Sequence, residues 1–226
     1  ALWHDTHRDA YWRGGPVLMS AISAIDMALW DILGKELGVP VYRLLGGQVR
    51  DKAPCYANGW FVGAKTPEQF AEKAVEAFRL GFKALKWDPF GSAYRSMEAA
   101  PFHAAIECVE AVREATRGRG DLIIEGHGRF DLPTALRIAH ALEDLDILWF
   151  EEPIIPESLE ALAELKRRVK VPIALGERLY SRWQFRSLLE QRAADYIQPD
   201  VSHAGGITEI KKIAAMAETH YVPICP

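Results

Sequence analysis

Cysteine is scarce: Cys55, Cys108 and Cys225 are the three in 226 residues. Their number is odd and their spacing matches no metal-ligand pattern, so a disulfide scaffold and a zinc site are both excluded, and a reducing, cytoplasmic setting is expected. Basic excess is missing too. Lys and Arg total 27 against 31 Asp and Glu, a net charge of −4. Nucleic-acid binders carry basic stripes, so no nucleic-acid partner is expected. No apolar run approaches the roughly 20 residues that span a bilayer, and no signal peptide opens the chain, so no membrane association is expected. No G-x-G-x-x-G follows the first strand candidate, which argues against a dinucleotide fold.

What is present is alternation. Strand candidates fall at 53–58, 82–87, 121–126, 146–151, 172–177, 195–200 and 221–225. Helix candidates lie between them at 67–80, 101–117, 133–144, 157–169, 181–192 and 206–219, with Pro67 and Pro133 marking two starts. Such alternation predicts an α/β fold of right-handed βαβ units on a parallel sheet. Six units plus a seventh strand exceed half of a doubly wound sheet, so the expected fold is a modified (β/α)8 barrel, TIM-like, with its last portion missing. Residues 16–38 predict a separate helix, apolar around most of its circumference and therefore buried on several sides. Leu44-Leu-Gly-Gly47 is the expected hinge. It sets a domain of residues 1–47, the remnant of a helical cap, before a barrel domain of 48–226. Both ends of the chain look cut.

The strands end in acids. Glu125 closes Asp121-Leu-Ile-Ile-Glu, Glu151 closes Leu148-Trp-Phe-Glu, and Glu177 follows Ile173-Ala-Leu-Gly; both intervals are 26 positions. Asp200 closes a fourth strand, 23 positions on. One strand-end acid is ordinarily a cap or a surface charge. Four in register repel unless a cation sits among them. Glu125, Glu151 and Glu177 would make an all-oxygen site suited to Mg2+, where a carboxylate substrate could chelate and lose its α-proton. Glu152 should point the other way along an extended strand and serve a structural ion pair. Lys86 is placed to neutralise a bound anion. His127 should share a face with Glu125 if the backbone stays extended, and Asp200 would orient a histidine from a neighbouring strand. His203 stands just beyond Asp200, and Gly205-Gly206 opens a helix that could receive an anion.

Ser20-Ala-Ile-Ser-Ala-Ile-Asp26-Met-Ala-Leu-Trp30-Asp31, Glu125-Gly-His127-Gly-Arg129, Phe150-Glu-Glu-Pro153, Gly176-Glu-Arg178 and Gln198-Pro-Asp200-Val-Ser-His203-Ala-Gly-Gly206 together resemble the enolase superfamily, mandelate racemase branch, and within it the galactonate-type acid-sugar dehydratases. The resemblance implies Glu125, Glu151 and Glu177 as Mg2+ ligands, and Asp200 as partner of a catalytic histidine after strand seven that does not occur in this chain. It also implies a homo-oligomeric cytoplasmic enzyme with a small acid-sugar substrate. Two departures stand out. Glu125 replaces the Asp of much of the family, and Lys86-Trp87-Asp88 stands where racemases carry K-x-K. Racemisation needs two opposed bases, so Asp88 points instead to a dehydratase. The missing histidine would take the α-proton, and His127 would protonate the departing β-hydroxyl. Another proton-abstraction reaction of the superfamily, such as epimerisation or cycloisomerisation, and a non-catalytic metal-binding role remain as alternatives.

Overall fold

The computed structural model describes residues 2–226. Contacts group the chain into two compact units. One is Pro54–Ala174 with Ala193–Asp195; the other is the chain up to Ala53 with Leu175–Arg192 and Tyr196–Pro226.

The first unit is built of strand–helix alternation. Helix α4 (Pro67–Arg79) leads to β1 (Ala84–Trp87), α5 (Ala99–Thr116) to β2 (Asp121–Glu125), and α6 (Leu132–Leu142) to β3 (Trp149–Glu151). Helix α7 (Leu159–Arg168) then leads to β4 (Ile173–Leu175). The helices start where local chemistry provides a cap. Thr66 Oγ1 accepts from Gln69 N, Asp131 Oδ1 from Thr134 N and Ser158 Oγ from Ala161 N, each satisfying an N–H that the first turn leaves over. Strands β1, β2, β3 and β4 pair in chain order and all in parallel, so the α/β class read from the sequence is what the structure shows.

The register decides which side chains share a face. Lys86 lies opposite Ile123, Ile123 opposite Trp149, and Glu125 opposite Glu151. Side chains alternate along a strand, so Lys86, Ile123, Glu125, Trp149 and Glu151 all emerge on one face. Leu85, Trp87, Leu122, Ile124 and Phe150 emerge on the other and are buried, with Phe90 and Phe130 edge-to-face at 5.3 Å. Each such large side chain contributes about 1.5–3 kcal/mol on leaving water.

Two expected strands shrink to single bridges: 53–58 to Ala57, which pairs with Leu85, and 221–225 to Ile224, which pairs with Ile197. The fourth and fifth candidates also begin late, because Asp146 takes a left-handed backbone (φ 49°) and Pro172 donates no hydrogen bond.

In the second unit, α1 (Leu2–Asp9), α2 (Gly15–Leu37) and α3 (Val41–Leu44) precede α8 (Ser181–Glu190), β5 (Tyr196–Ile197) and α9 (Gly206–Thr219). Helix α2 corrects two expectations. By length and composition alone it is apolar enough to cross a bilayer. It is also not buried on several sides: Met19, Ile22, Ser23, Asp26 and Gly34 are covered, while Val17, Ile25, Ile32 and Leu37 are exposed. Its covered stripe is specific. Ser23 Oγ accepts from Gly205 N at 3.0 Å, Asp26 Oδ2 from Thr208 N at 2.9 Å, and Trp30 Nε1 donates to Thr208 Oγ1 at 2.9 Å. The side chain packed against the start of α9 is thus Asp26. A side chain at Gly206 would meet Asp26 Oδ2 at 2.6 Å, and its φ of +79° favours glycine independently.

Candidate metal and proton-transfer site

Glu125 and Glu151 end adjacent strands as register partners, which brings two carboxylates side by side on one face. Both are buried, at 3% and 1% exposure, and an oxygen of one lies within 4.8 Å of an oxygen of the other. Lys86, from the next strand on the same face, joins them. Its Nζ donates to Glu151 Oε1 at 2.5 Å and Glu125 Oε2 at 3.2 Å, and sits 5.2 Å from the Tyr56 ring centroid. Lys86 is therefore a buried paired cation rather than one reaching to the surface.

Each carboxylate has its other oxygen held by a neutral donor. The backbone N–H of His127 donates to Glu125 Oε1 at 2.7 Å, and Trp149 Nε1 donates to Glu151 Oε2 at 2.9 Å. Two acids this close and this buried do not ionise alike. Burial pushes Glu125 up to about 9, and the charge of Glu151 adds to the effect. Burial pushes Glu151 up too, but its hydrogen bond with Glu125, the charge of Lys86 and the Trp149 N–H outweigh it and hold that carboxyl low. The pair carries one proton near neutral pH. Burial lowers the Lys86 pKa, yet the two glutamates raise it more, so the ammonium stays charged.

His127 is not in extended backbone. Its φ is 54°, so the shared-face argument from strand periodicity fails at this residue. The strand ends at Glu125 and the chain turns, with Gly126 N donating to Glu151 O at 2.8 Å and Gly128 N to Glu152 O at 2.7 Å. Gly126 permits this approach: a Cβ there would lie 2.7 Å from Glu152 O. Within the turn, His127 Nδ1 lies 2.6 Å from Asp88 Oδ2. Asp88 is held in turn by Arg129 Nη2, at 2.7 and 2.5 Å to its two oxygens, and by Phe90 N at 2.8 Å. Against the Asp88 carboxylate, an acceptor, Nδ1 is the ring nitrogen that donates. Glu152 also leaves extended geometry, with φ 42°, and is fully buried, so the expected alternation stops at Glu151.

Glu177 and Asp200 belong to the second unit. Glu177 lies two residues past β4, is 40% exposed at the side chain, and has Arg178 Nε at 3.4 Å. Asp200 Oδ1 accepts from Ser202 N at 2.6 Å, and its Oδ2 lies 3.6 Å from His203 Nε2. His203 Nδ1 is 2.9 Å from Ser20 Oγ. Sequence reasoning missed Trp149 and Tyr56. Trp149 was legible in principle, standing two residues before Glu151 on the same face of a strand.

The donor set tests well for a cation. Glu125 and Glu151 offer carboxylate oxygens from two adjacent strand ends, donors of the kind a hard divalent ion takes. A parallel α/β sheet presenting paired strand-end carboxylates beside a lysine defines a class, and comparison with known proteins names it. The family described as enolase C-terminal domain-like matches residues 69–226, and the mandelate racemase / muconate lactonizing enzyme N-terminal domain matches residues 1–46. The chain belongs to this family. Among its relatives, D-galactonate dehydratase of Variovorax paradoxus is 43% identical over 230 residues, covering 100% of this chain and 59% of that protein. D-gluconate dehydratase of Thermoproteus tenax is 43% identical over 205 residues, covering 91% of this chain and 41% of its own length. A solved member of the enolase superfamily from Salmonella Typhimurium aligns with TM-score 0.93 at 34% identity, over 99% of this chain and 62% of that one. The chain thus spans 41–62% of the length of these proteins.

Proposed function

We propose that the protein is a hydro-lyase, a Mg2+-dependent acid-sugar dehydratase that converts an aldonate such as D-galactonate or D-gluconate to a 2-keto-3-deoxy acid. The observation that carries this reading is the Asp88–His127 pair at 2.6 Å. Where racemases carry the second lysine of K-x-K, this chain has an acid that is engaged by Arg129 and orients a histidine. The dehydratase names of relatives at 43% identity support the same conclusion.

In this reading Glu125 and Glu151 hold the cation together with Glu177, the third acid of the 26-residue repeat. The bound Mg2+ supplies positive charge for the substrate carboxylate, which makes its α-proton easier to remove. Lys86 adds a second positive charge beside that carboxylate. Asp200 is the partner of a histidine base, which takes the α-proton. His127 donates a proton from Nε2 to the β-hydroxyl, the Cβ–O bond breaks and water leaves, and the resulting enol becomes the 2-keto acid. We assign residues 1–47 to a capping domain and residues 48–226 to a barrel domain, in a cytoplasmic homo-oligomer.

The test is incubation of the full-length protein with a panel of aldonates and MgCl2, followed by semicarbazide detection of 2-keto acids. A 2-keto-3-deoxy product from at least one aldonate is expected. Inversion at the α-carbon without water loss would instead favour an epimerase. Neither product from any aldonate, by folded protein, would overturn the reading.

A further inference from the structure

Trp149 has a polar task that burial alone does not explain. Its side chain is 4% exposed, and a buried indole N–H needs an acceptor. The acceptor is not a backbone carbonyl but Glu151 Oε2, at 2.9 Å. Glu151 Oε1 then faces the other way, toward the Lys86 ammonium at 2.5 Å. One oxygen is fixed to a neutral donor, and the other is presented to positive charge.

The indole cannot easily swing off that bond. Trp149 lies on β3 two residues before Glu151, so both side chains leave the same face of one rigid strand. The Tyr56 ring packs edge-to-face against it, centroids 6.3 Å apart at 82°. Glu125 is treated in the same manner, since the His127 N–H holds its Oε1 and leaves Oε2 toward Lys86.

We propose that Trp149 is a positioning residue of the cation site: its N–H fixes Glu151 Oε2 and so selects Oε1 as the single oxygen that ligates a divalent cation. This rests on the reading of Glu151 as a ligand and extends it to a residue that touches neither cation nor substrate. Losing the N–H while keeping an aromatic ring frees the carboxylate to rotate, and partners of this kind typically contribute about 10-fold or more to metal affinity.

The test uses Mn2+ as probe, with Kd measured from water proton relaxation on wild type and Trp149→Phe, alongside circular dichroism and thermal melting without added metal. Phe keeps the packing against Tyr56. The expected result is a Kd raised about 10-fold with the melting temperature moved by only a few degrees. An independent signature comes from the indole N–H resonances of the seven tryptophans. The one missing in Trp149→Phe should be slow to exchange in wild type and selectively broadened by Mn2+. Wild type that binds Mn2+ while Trp149→Phe binds it equally well overturns the proposal alone. Wild type that binds neither Mn2+ nor Mg2+ overturns the metal reading and the proposal with it. Should Trp149→Phe fail to fold, Tyr56→Leu removes the ring that braces the indole. Weaker Mn2+ binding there supports the proposal, and unchanged binding refutes it.

Discussion

Proton release on metal binding gives the sharpest check of the paired glutamates. Glu125 is pushed up to about 9 by burial and by Glu151, so over the neutral range it holds a proton that a cation must expel. Glu151 is held low and is already ionised there, and Lys86 stays charged, so neither adds to the effect. The sign follows: a site that must lose a proton to bind its cation binds more tightly as pH rises, until the pH reaches the free-state pKa. The slope is about tenfold per pH unit, or about 1.4 kcal/mol, so Mg2+ affinity should rise about 100-fold from about pH 6 to about pH 8. It should level off near about pH 9. Titration calorimetry in two buffers of unlike ionisation heat counts the protons directly, and about one per Mg2+ is expected. Glu125→Gln removes proton and ligand charge together and should leave weak binding with no pH slope. Flat affinity across the neutral range with no proton released would refute the shared-proton arrangement.

In the full-length enzyme, His127→Gln should slow dehydration about 10²–10⁴-fold, the usual worth of a positioned acid, while leaving Mg2+ affinity and α-proton exchange with deuterated solvent intact. Loss of exchange in step with dehydration would make His127 the base or a structural residue. Asp26→Ala should cost about 1–2 kcal/mol in urea unfolding, because Thr208 N at the start of α9 loses its anionic partner. A variant as stable as wild type would show that water caps the helix equally well. Gly126→Ala should destabilise by about 1–3 kcal/mol, since its methyl would sit 2.7 Å from Glu152 O, and should weaken Mg2+ binding by displacing the turn after Glu125. Unchanged melting and affinity would count against that turn as a constraint on the site.

Much of this molecule is local in origin and so was legible in the residues. Apolar runs broken by Pro and Gly and separated by helical segments give parallel βαβ order, since short parallel strands require helical crossovers. The 26-residue interval between Glu125 and Glu151 is one such unit, which is why counting positions put both acids at equivalent strand ends and why they emerge as register partners. The resemblance to acid-sugar dehydratases likewise rested on motifs visible without coordinates.

Other features were decided only by tertiary structure. Strand periodicity put His127 beside Glu125, but that inference holds only while the backbone stays extended, and here φ turns positive. What orients His127 is Asp88, 39 positions away, and no local pattern connects the two. The apolar circumference of α2 predicted burial on several sides, whereas hydrophobicity states only what a helix can bury and not what arrives to cover it. Pinning one oxygen of Glu151 to Trp149 is a matter of side-chain rotation, which composition and spacing leave free. Sequence therefore determined which residues stand at the ends of which strands, because strand periodicity is a property of the backbone. Tertiary structure decided which oxygen, nitrogen or ring each turns toward, because those directions are set by packing among residues far apart in the chain.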